Sequence, residues 1–375
     1  MGTLRTLTVT VLFVFLFTLE WASRGVQGGT ISKVEGHPAS GNRYDKKRIL
    51  KELQQYKEPP DDIVRSMAFK VKPPLNLDHE WRNFCWNQSI HGSNKFLCLP
   101  YFYIVGFRKC ATSDIFERIN VHPELNLPFR KETLWWSFRP FWSFTEYADI
   151  FGGVTYPRGK KVIMGDADPN IAFMHRRTRD HIITKAHIMK MYTPDVRVIF
   201  MLRNPTDRMY SDYLYIRGLG TRTAGDFNRR VLRGWFQYKR CFAAKSVRDC
   251  IYNQRNMFSS DRNQIRLYQG MYIQYIYDWM QVFPRNQILV LRSEDLFSDG
   301  KKTLSKVFDF LGVDKLNDEE LGAILEFPLV NRNDVVKKSA GPMWKQTRDL
   351  LNKMYRPFNE ALAEYMHDKR FLWEA

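Results

Sequence analysis

Four short apolar runs punctuate the chain: Phe102–Gly106 (FYIVG), Val162–Asp166 (VIMGD), Val196–Leu202 (VRVIFML) and Ile288–Arg292 (ILVLR). They are continuous rather than alternating, and helical patterns lie between them, near 112–121, 170–192, 205–217, 265–283, 300–311 and 344–366. Runs of this kind are buried on both faces, which requires a parallel sheet with helices on each side. The expected fold class is therefore α/β, a P-loop-like central parallel sheet flanked by helices. The stripe Tyr268, Tyr272, Ile276, Trp279, Phe283 has helical spacing and reads as core. Residues 25–75 are polar, with Gly28-Gly29, Pro59-Pro60 and Pro73-Pro74, and read as a stem or linker with one helix near 45–57.

The chain has 375 residues, 44% hydrophobic and 15% aromatic, too apolar for a disordered polyelectrolyte. Lys and Arg number 58 against 40 Asp and Glu, a net +18 that calls for a polyanionic partner: nucleic acid, anionic lipid or acidic polysaccharide. The leader decides among these. Thr6–Leu19 is an uncharged apolar run of fourteen residues, about 21 Å of helix against a hydrocarbon core of about 30 Å. It suits a signal peptide or short signal anchor over 1–24, with small residues at Val26-Gln27-Gly28 for cleavage; Met1-Gly2…Thr6 fits myristoylation less well. Residues 76–375 are then a lumenal domain, which removes nucleic acid and leaves membrane contact to the N-terminal segment. The sequon Asn87-Gln88-Ser89 agrees with that route, whereas Asn204-Pro205-Thr206 is disqualified by its proline. Of five cysteines, local spacing pairs Cys85 with Cys98 and Cys241 with Cys250, leaving Cys110 free; three pairings of those four remain open.

Ligands of open α/β sheets bind outside the carboxyl ends of the strands. After FYIVG comes Phe107-Arg108-Lys109-Cys110-Ala111-Thr112-Ser113-Asp114, then a helical run. Cations and hydroxyls at a helix start make an anion cradle, although the second glycine and the Gly-Lys-Ser/Thr of a Walker A loop are missing. After the third run, Arg203 ends a strand and Ser211 follows eight residues later on a helix, a guanidinium fork and a hydroxyl suited to phosphate. Lys338 to Gly341 (KSAG), before the last helix, reads either as a closure over donor phosphates or as a plain helix-entry turn.

Together these stretches resemble the 5′-phosphosulfate loop and the 3′-phosphate motif of the sulfotransferases that use 3′-phosphoadenosine 5′-phosphosulfate (PAPS). The finer texture, including RKETLWW, VIMGDADP, FPRNQILVLRSEDLFSD and YRPFNEALAEYM, is similar to the chondroitin/dermatan N-acetylgalactosamine 4-sulfate 6-O-sulfotransferase group. The resemblance implies that Lys109 contacts the bridging oxygen of the donor. Arg108, Cys110, Ala111, Thr112 and Ser113 then surround the 5′-phosphate, and Arg203 and Ser211 hold the 3′-phosphate. Glu132 falls where related enzymes carry their base. It implies PAPS as co-substrate leaving as PAP, no metal, a sulfated glycosaminoglycan acceptor, and a Golgi type II protein or a secreted form. Another glycan position and an inactive heparin-binding protein are the alternatives. Ala111 departs from the usual glycine; in helical φ/ψ it would carry little strain.

Asp166 and Asp168 are the next carboxylates at the productive sheet edge, expected to shape the acceptor side, with Asp166 assigned as a substrate-binding residue. Arg176, Arg177 and Arg179 are candidate acceptor contacts among other basic clusters (Lys160-Lys161, Arg229-Arg230, Arg233, Lys239-Arg240, Lys337-Lys338). Trp135, Trp136, Phe138, Phe141, Trp142 and Phe144 read as a helix packed on the core, with sugar stacking as the other possibility. His175, His181 and His187, six apart on an expected helix, point about 240° apart and share no face, while His79, Cys85, His91 and Cys98 lack compact spacing. No metal site is expected.

Overall fold

The computed structural model describes residues 44–374 except 69–76, 78–80, 91, 129–130, 139–142, 153–161, 217–221, 254–264 and 329–333. The leader run, the Val26-Gln27-Gly28 site, His79, His91, Phe141, Trp142 and Lys160-Lys161 lie outside these residues. Among those described, no helix is long and apolar enough to cross a membrane.

In chain order the elements begin with α1 (Lys46–Leu53), α2 (Asp61–Met67) and a hairpin of β1 (Phe84–Ile90) and β2 (Ser93–Leu99). Next come β3 (Phe102–Gly106), α3 (Thr112–Ile119), β4 (Leu125–Asn126), α4 (Trp135–Phe138), α5 (Phe144–Gly152), β5 (Ile163–Ala167), β6 (His175–Arg177), β7 (Ile182–Thr184) and α6 (Lys185–Tyr192). Then follow β8 (Arg197–Leu202), α7 (Pro205–Tyr215), α8 (Ala224–Ala244), α9 (Val247–Ile251), α10 (Tyr272–Val282) and β9 (Ile288–Arg292). The chain closes with α11 (Ser293–Ser298), α12 (Gly300–Leu311), α13 (Asp318–Glu326), α14 (Asp334–Ala340) and α15 (Lys345–Met366).

Five strands form one parallel sheet in the order β4-β5-β3-β8-β9. Every residue of β3 and β5 is buried, as their unbroken apolar runs require. The chain leaves β3 for β5 on one side and later returns to β8 on the other, so the order reverses between β3 and β8. Outside the carboxyl ends of these two strands lies the crevice where such sheets bind ligands. The Tyr268–Phe283 stripe is core: Tyr272, Ile276, Trp279 and Phe283 are each at most 1% exposed.

Three local outcomes differ from the sequence reading. The helix expected over 170–192 exists only from Lys185. Thr178 N donates to His181 O (3.0 Å) and closes a β6–β7 hairpin, in which Ile182-Ile183-Thr184 is a β-branched run suited to strand. Thr184 then caps α6, its hydroxyl 2.9 Å from His187 Nδ1. The 21-residue α8 was not among the expected helices, although Phe227, Val231, Gly234, Tyr238 and Phe242 supply its buried face. Residues 44–67, within the stretch read as stem, pack on the body: Arg48 donates to Phe242 O and Lys245 O (2.8 Å each), and Glu52 accepts from Val247 N. Thus α1 satisfies carbonyls at the end of α8 and an amide at the start of α9, groups that helix ends leave unpaired.

Both expected disulfides are present. Cys85–Cys98 joins directly opposed residues of β1 and β2, and Cys241–Cys250 ties α8 to α9, while Cys110 is free and buried. Asn87 is exposed on β1.

Candidate active site

The crevice holds a cavity of about 650 Å³. The β3 side contributes Arg108, Lys109, Ala111, Thr112 and Ser113, and the β8 side contributes Arg203, Asp207, Ser211 and Tyr215. Ser293, Glu294 and Phe297 come from beyond β9, Glu132 and Pro169 from the β5 side, and Lys337 from α14.

The loop after β3 is tightly drawn. A Cβ on Gly106 would sit 2.8 Å from that of Ala172, so the strand must end on a residue without a side chain. Phe107 N donates to Met201 O (2.8 Å), holding the loop to β8. Lys109 (φ 65°) and Ala111 (φ 60°) are both left-handed. For Ala111 this corrects the expectation of helical φ/ψ: the position carries the cost that a Cβ meets there, about 1–2 kcal/mol, and glycine would avoid it. Cys110 is also corrected. It does not line the cavity; its Sγ points into the core, 3.7 Å from Tyr272 Oη, and burial pushes the thiol up to about 11. Arg108 Nε donates to Asn170 Oδ1 (2.6 Å), and Asn170 is held by two donations to Asp168 Oδ1 (2.9 and 2.7 Å). Lys109 Nζ lies 4.1 Å from the Tyr215 ring centroid. Burial, aided by Arg203 and Lys337, lowers the lysine pKa against the opposing pull of Asp212. An arriving anion would favour its charged form.

On the β8 side Arg203 follows the strand directly. Its Nη1 donates to Lys109 O (3.4 Å), and its own carbonyl accepts from Tyr272 Oη (2.9 Å). Asn204 caps α7 by accepting from Thr206 N (2.9 Å), Pro205 takes the first helical position, and Glu294 accepts from Asn204 N (2.7 Å). Ser211, two turns along α7, reaches the same cavity. Beneath it Arg208 and Asp212 are completely buried and face each other at 3.5 Å, with Arg266 on Asp212 at 2.9 Å. Lys338 and Gly341 (φ 72°) line an adjoining cavity of about 400 Å³ together with Arg203, Ser211 and Lys337, and Tyr210 Oη donates to Gly341 O (2.5 Å).

Glu132 reaches the cavity through a left-handed backbone (φ 63°), its N donating to Ala167 O (3.1 Å). Lys131 Nζ is 2.9 Å from its Oε1, and the Glu132 side chain remains 42% exposed. Asp166 supports this segment from behind, accepting from Thr133 Oγ1 (2.6 Å), Tyr147 Oη (3.1 Å) and Ala167 N (2.7 Å). It is 1% exposed, and burial raises its pKa to about 6. Asp166 therefore shapes the site without touching an acceptor, which corrects its assignment as a binding residue. Asp168, also raised by burial, accepts from Ser137 Oγ.

Arg176 and Arg177 stand on β6 and Arg179 in the turn after it, none of them lining the cavity. Arg177 pairs with Asp249, and Arg176 Nη1 lies 3.9 Å from Met67 Sδ, so the hairpin directs them elsewhere. Trp135, Trp136 and Phe144 are core; Trp136 Nε1 donates to Tyr103 Oη (3.2 Å) and Tyr147 Oη (3.1 Å). His187 is occupied by Thr184 and by Tyr56 Oη at 2.7 Å. Among the described residues no three His, Cys, Asp or Glu side chains form a group that could hold a metal ion. Sequence reasoning missed Glu294, Phe297, Tyr215 and Asp207. Ser293-Glu294 directly follow the fourth apolar run, and the strand-end rule applied there would have found them.

The Sulfotransferase domain family matches residues 103–333, a stretch that starts in β3 and contains the loop after it, Glu132, Arg203 and Ser211. Carbohydrate sulfotransferase 15 of Homo sapiens is 31% identical over 332 residues, covering 78% of this chain and 58% of that protein. The same protein of Mus musculus is 30% identical with the same coverage. Bifunctional heparan sulfate N-deacetylase/N-sulfotransferase 4 of Mus musculus is 23% identical over 338 residues, 80% of this chain and 36% of that one. The chain thus spans 58% of the length of the carbohydrate sulfotransferases it matches. A crystal structure of a sulfotransferase from Alicyclobacillus acidocaldarius aligns with 72% of this chain and 96% of its own, at 21% identity and a TM-score of 0.49. With the domain pattern matched over more than half of its length, the chain belongs to the sulfotransferase family.

Proposed function

We propose that the chain transfers a sulfuryl group from PAPS to a hydroxyl of a sulfated glycosaminoglycan, the 6-hydroxyl of 4-sulfated N-acetylgalactosamine in chondroitin or dermatan sulfate. The observation that carries this reading is the convergence on one cavity of the loop after β3, Arg203 and Ser211 after β8, and Glu132. Arg108, Thr112 and Ser113 would hold the 5′-phosphate, and Arg203, Ser211, Lys338 and Gly341 the 3′-phosphate. Glu132 accepts the hydroxyl proton as the sugar oxygen bonds to sulfur. The bond from sulfur to the bridging oxygen breaks, and Lys109 meets the charge that develops on the departing phosphate. Direct transfer of this kind needs no metal and no covalent intermediate.

The carbohydrate acceptor is supported by the names of the relatives and by the net +18. We further assign residues 1–24 as signal or anchor, 25–75 as a stem whose later part docks on the body, and 76–375 as the lumenal enzyme of a Golgi type II protein. The two disulfides and the exposed sequon Asn87 support an oxidising compartment.

The test offers the purified chain PAPS and a panel of chondroitin, dermatan and heparan chains, followed by disaccharide analysis. Sulfate should appear at the 6-position of 4-sulfated units. Transfer to heparan alone overturns the acceptor, and an absence of PAP affinity favours an inactive polysaccharide-binding protein. Glu132→Gln should keep PAP affinity and lose turnover at least ~10²-fold; near-normal turnover removes Glu132 as the base.

A further inference from the structure

α8 buries one face and displays a different chemistry on the other. Opposite Phe227, Val231, Tyr238 and Phe242 it exposes Arg229, Leu232, Arg233, Phe236 and Arg240. At 100° per residue these five lie within an arc of about 100°, and from first to last they run about 16 Å along the axis. The helix holds five cations and a single acid, Asp226, which is taken up in the first turn by Arg229, Arg230 and Tyr213. Within the stripe Leu232 is 50% and Phe236 58% exposed. Arg240 stands over the Phe236 ring at 5.9 Å, and beside it Lys239 stands over Trp235 at 5.8 Å. The stripe also starts close to the cavity. Tyr215 ends α7 and lines the cavity, and Tyr213 Oη donates to Thr223 O (3.2 Å) and Asp226 Oδ2 (3.0 Å), fixing the first turn of α8 to α7.

We propose that the outer face of α8 binds the sulfated polysaccharide beyond the sugar being modified, holding the acceptor chain as it leaves the cavity. The proposal rests on the reading of the acceptor as a sulfated glycosaminoglycan. A row of guanidinium forks spaced along a helix matches sulfates and carboxylates spaced along an extended polymer, and an exposed ring among them can cover the apolar face of a sugar. A membrane surface is the less suitable partner. Helices that lie in that interface bury a broad apolar face in lipid, and the broad apolar face of α8 is already packed on the body.

The test uses the full chain with the triple substitution Arg233→Ala, Phe236→Ala, Arg240→Ala. PAP affinity should be unchanged, showing an intact fold and donor site. The variant should elute from immobilised chondroitin sulfate at lower salt than the wild type. KM for long chains should rise roughly tenfold, the effect of deleting two exposed cations and a stacking ring together, with kcat unaltered. KM for a tetrasaccharide should not move. Unchanged elution, or an equal rise in KM for short and long acceptors, overturns the proposal. So does loss of binding to phosphatidylserine vesicles with unchanged retention on the polysaccharide. A wild-type chain that is retained on the column but sulfates none of the panel defeats the acceptor reading and leaves this one to be decided by the elution shift.

Discussion

The two loops that line the cavity after β3 and after β8 are held in place in opposite ways. The loop after β3 relies on backbone strain, with Lys109 and Ala111 both left-handed, and is braced by a neutral amide, Asn170, itself anchored on Asp168. The turn after β8 uses ordinary helix-start chemistry, Asn204 as cap and Pro205 in the first position, and is braced from below by the buried pair Arg208–Asp212. A loop that curls as tightly as the one after β3 has little room for its own caps, so its geometry depends on neighbours. A helix start that offers one guanidinium and one hydroxyl can be self-sufficient locally, and its special feature lies underneath.

The largest test of this contrast removes the charged brace. Asp212→Ala leaves the guanidinium of Arg208 buried without its partner and should cost about 3–5 kcal/mol in urea denaturation. Replacing both residues, Arg208→Met with Asp212→Leu, should recover most of that loss, because neither fully buried charge remains and Arg266, the other partner of Asp212, is a quarter exposed and can turn to water. Asn170→Ala, the matching change on the β3 side, should cost less, about 1–3 kcal/mol. Equal losses would mean that the two braces do not differ in kind.

The second test is pH. Burial raises Asp166 from 3.8 to about 6. Between those values the folded protein holds a proton that the unfolded chain has released, so stability falls as pH rises through the window. The cost is absent below about 3.8 and complete above about 6. Two pH units correspond to about 3 kcal/mol. In Asp166→Asn this dependence disappears. The stability of the variant minus that of the wild type should therefore grow by about 2 kcal/mol from pH 4 to pH 7, as read from urea denaturation. A flat difference would show that Asp166 does not titrate there, and that Thr133 and Tyr147 hold it ionised throughout.

Much of the framework was legible in the sequence because burial leaves a pattern. FYIVG and ILVLR are strands with the same ends in the structure, since both sit in a sheet covered on two faces. The residues after β3 and β8 were legible as neighbours of one cavity because a strand end followed by cations and hydroxyls is where an open α/β sheet gathers a site. What failed depended on information that is not local. The stretch 170–192 has residues that suit a helix, yet a Thr184 cap and a hairpin closed at Thr178 divide it. Glu294 was within reach of the strand-end rule, but Phe297, five residues past β9, joins the site only because β9 lies beside β8, an order that no spacing reveals. The handedness of Ala111 was read wrongly for a related reason: alanine favours helix, and the loop between Gly106 and α3 overrides that preference.

That residue gives the smallest and sharpest test. Ala111 is left-handed, makes no side-chain cap for α3, and lines the cavity. Glycine at this position would relieve the strain of about 1–2 kcal/mol, and the greater freedom of the unfolded chain would offset part of that, for a net stabilisation of about 0.5–1 kcal/mol. It would also remove a methyl group from the cavity wall where the donor phosphate is proposed to sit. Ala111→Gly should thus raise the melting temperature by about 1 °C and tighten PAP binding several-fold by calorimetry. The matching change after β8, Asn204→Ala, acts in the reverse sense: it deletes a cap, costs about 1 kcal/mol, and adds no contact to the cavity. If Ala111→Gly instead lowers the melting temperature, the loop after β3 is not strained, and the contrast between the two loops reduces to their braces alone.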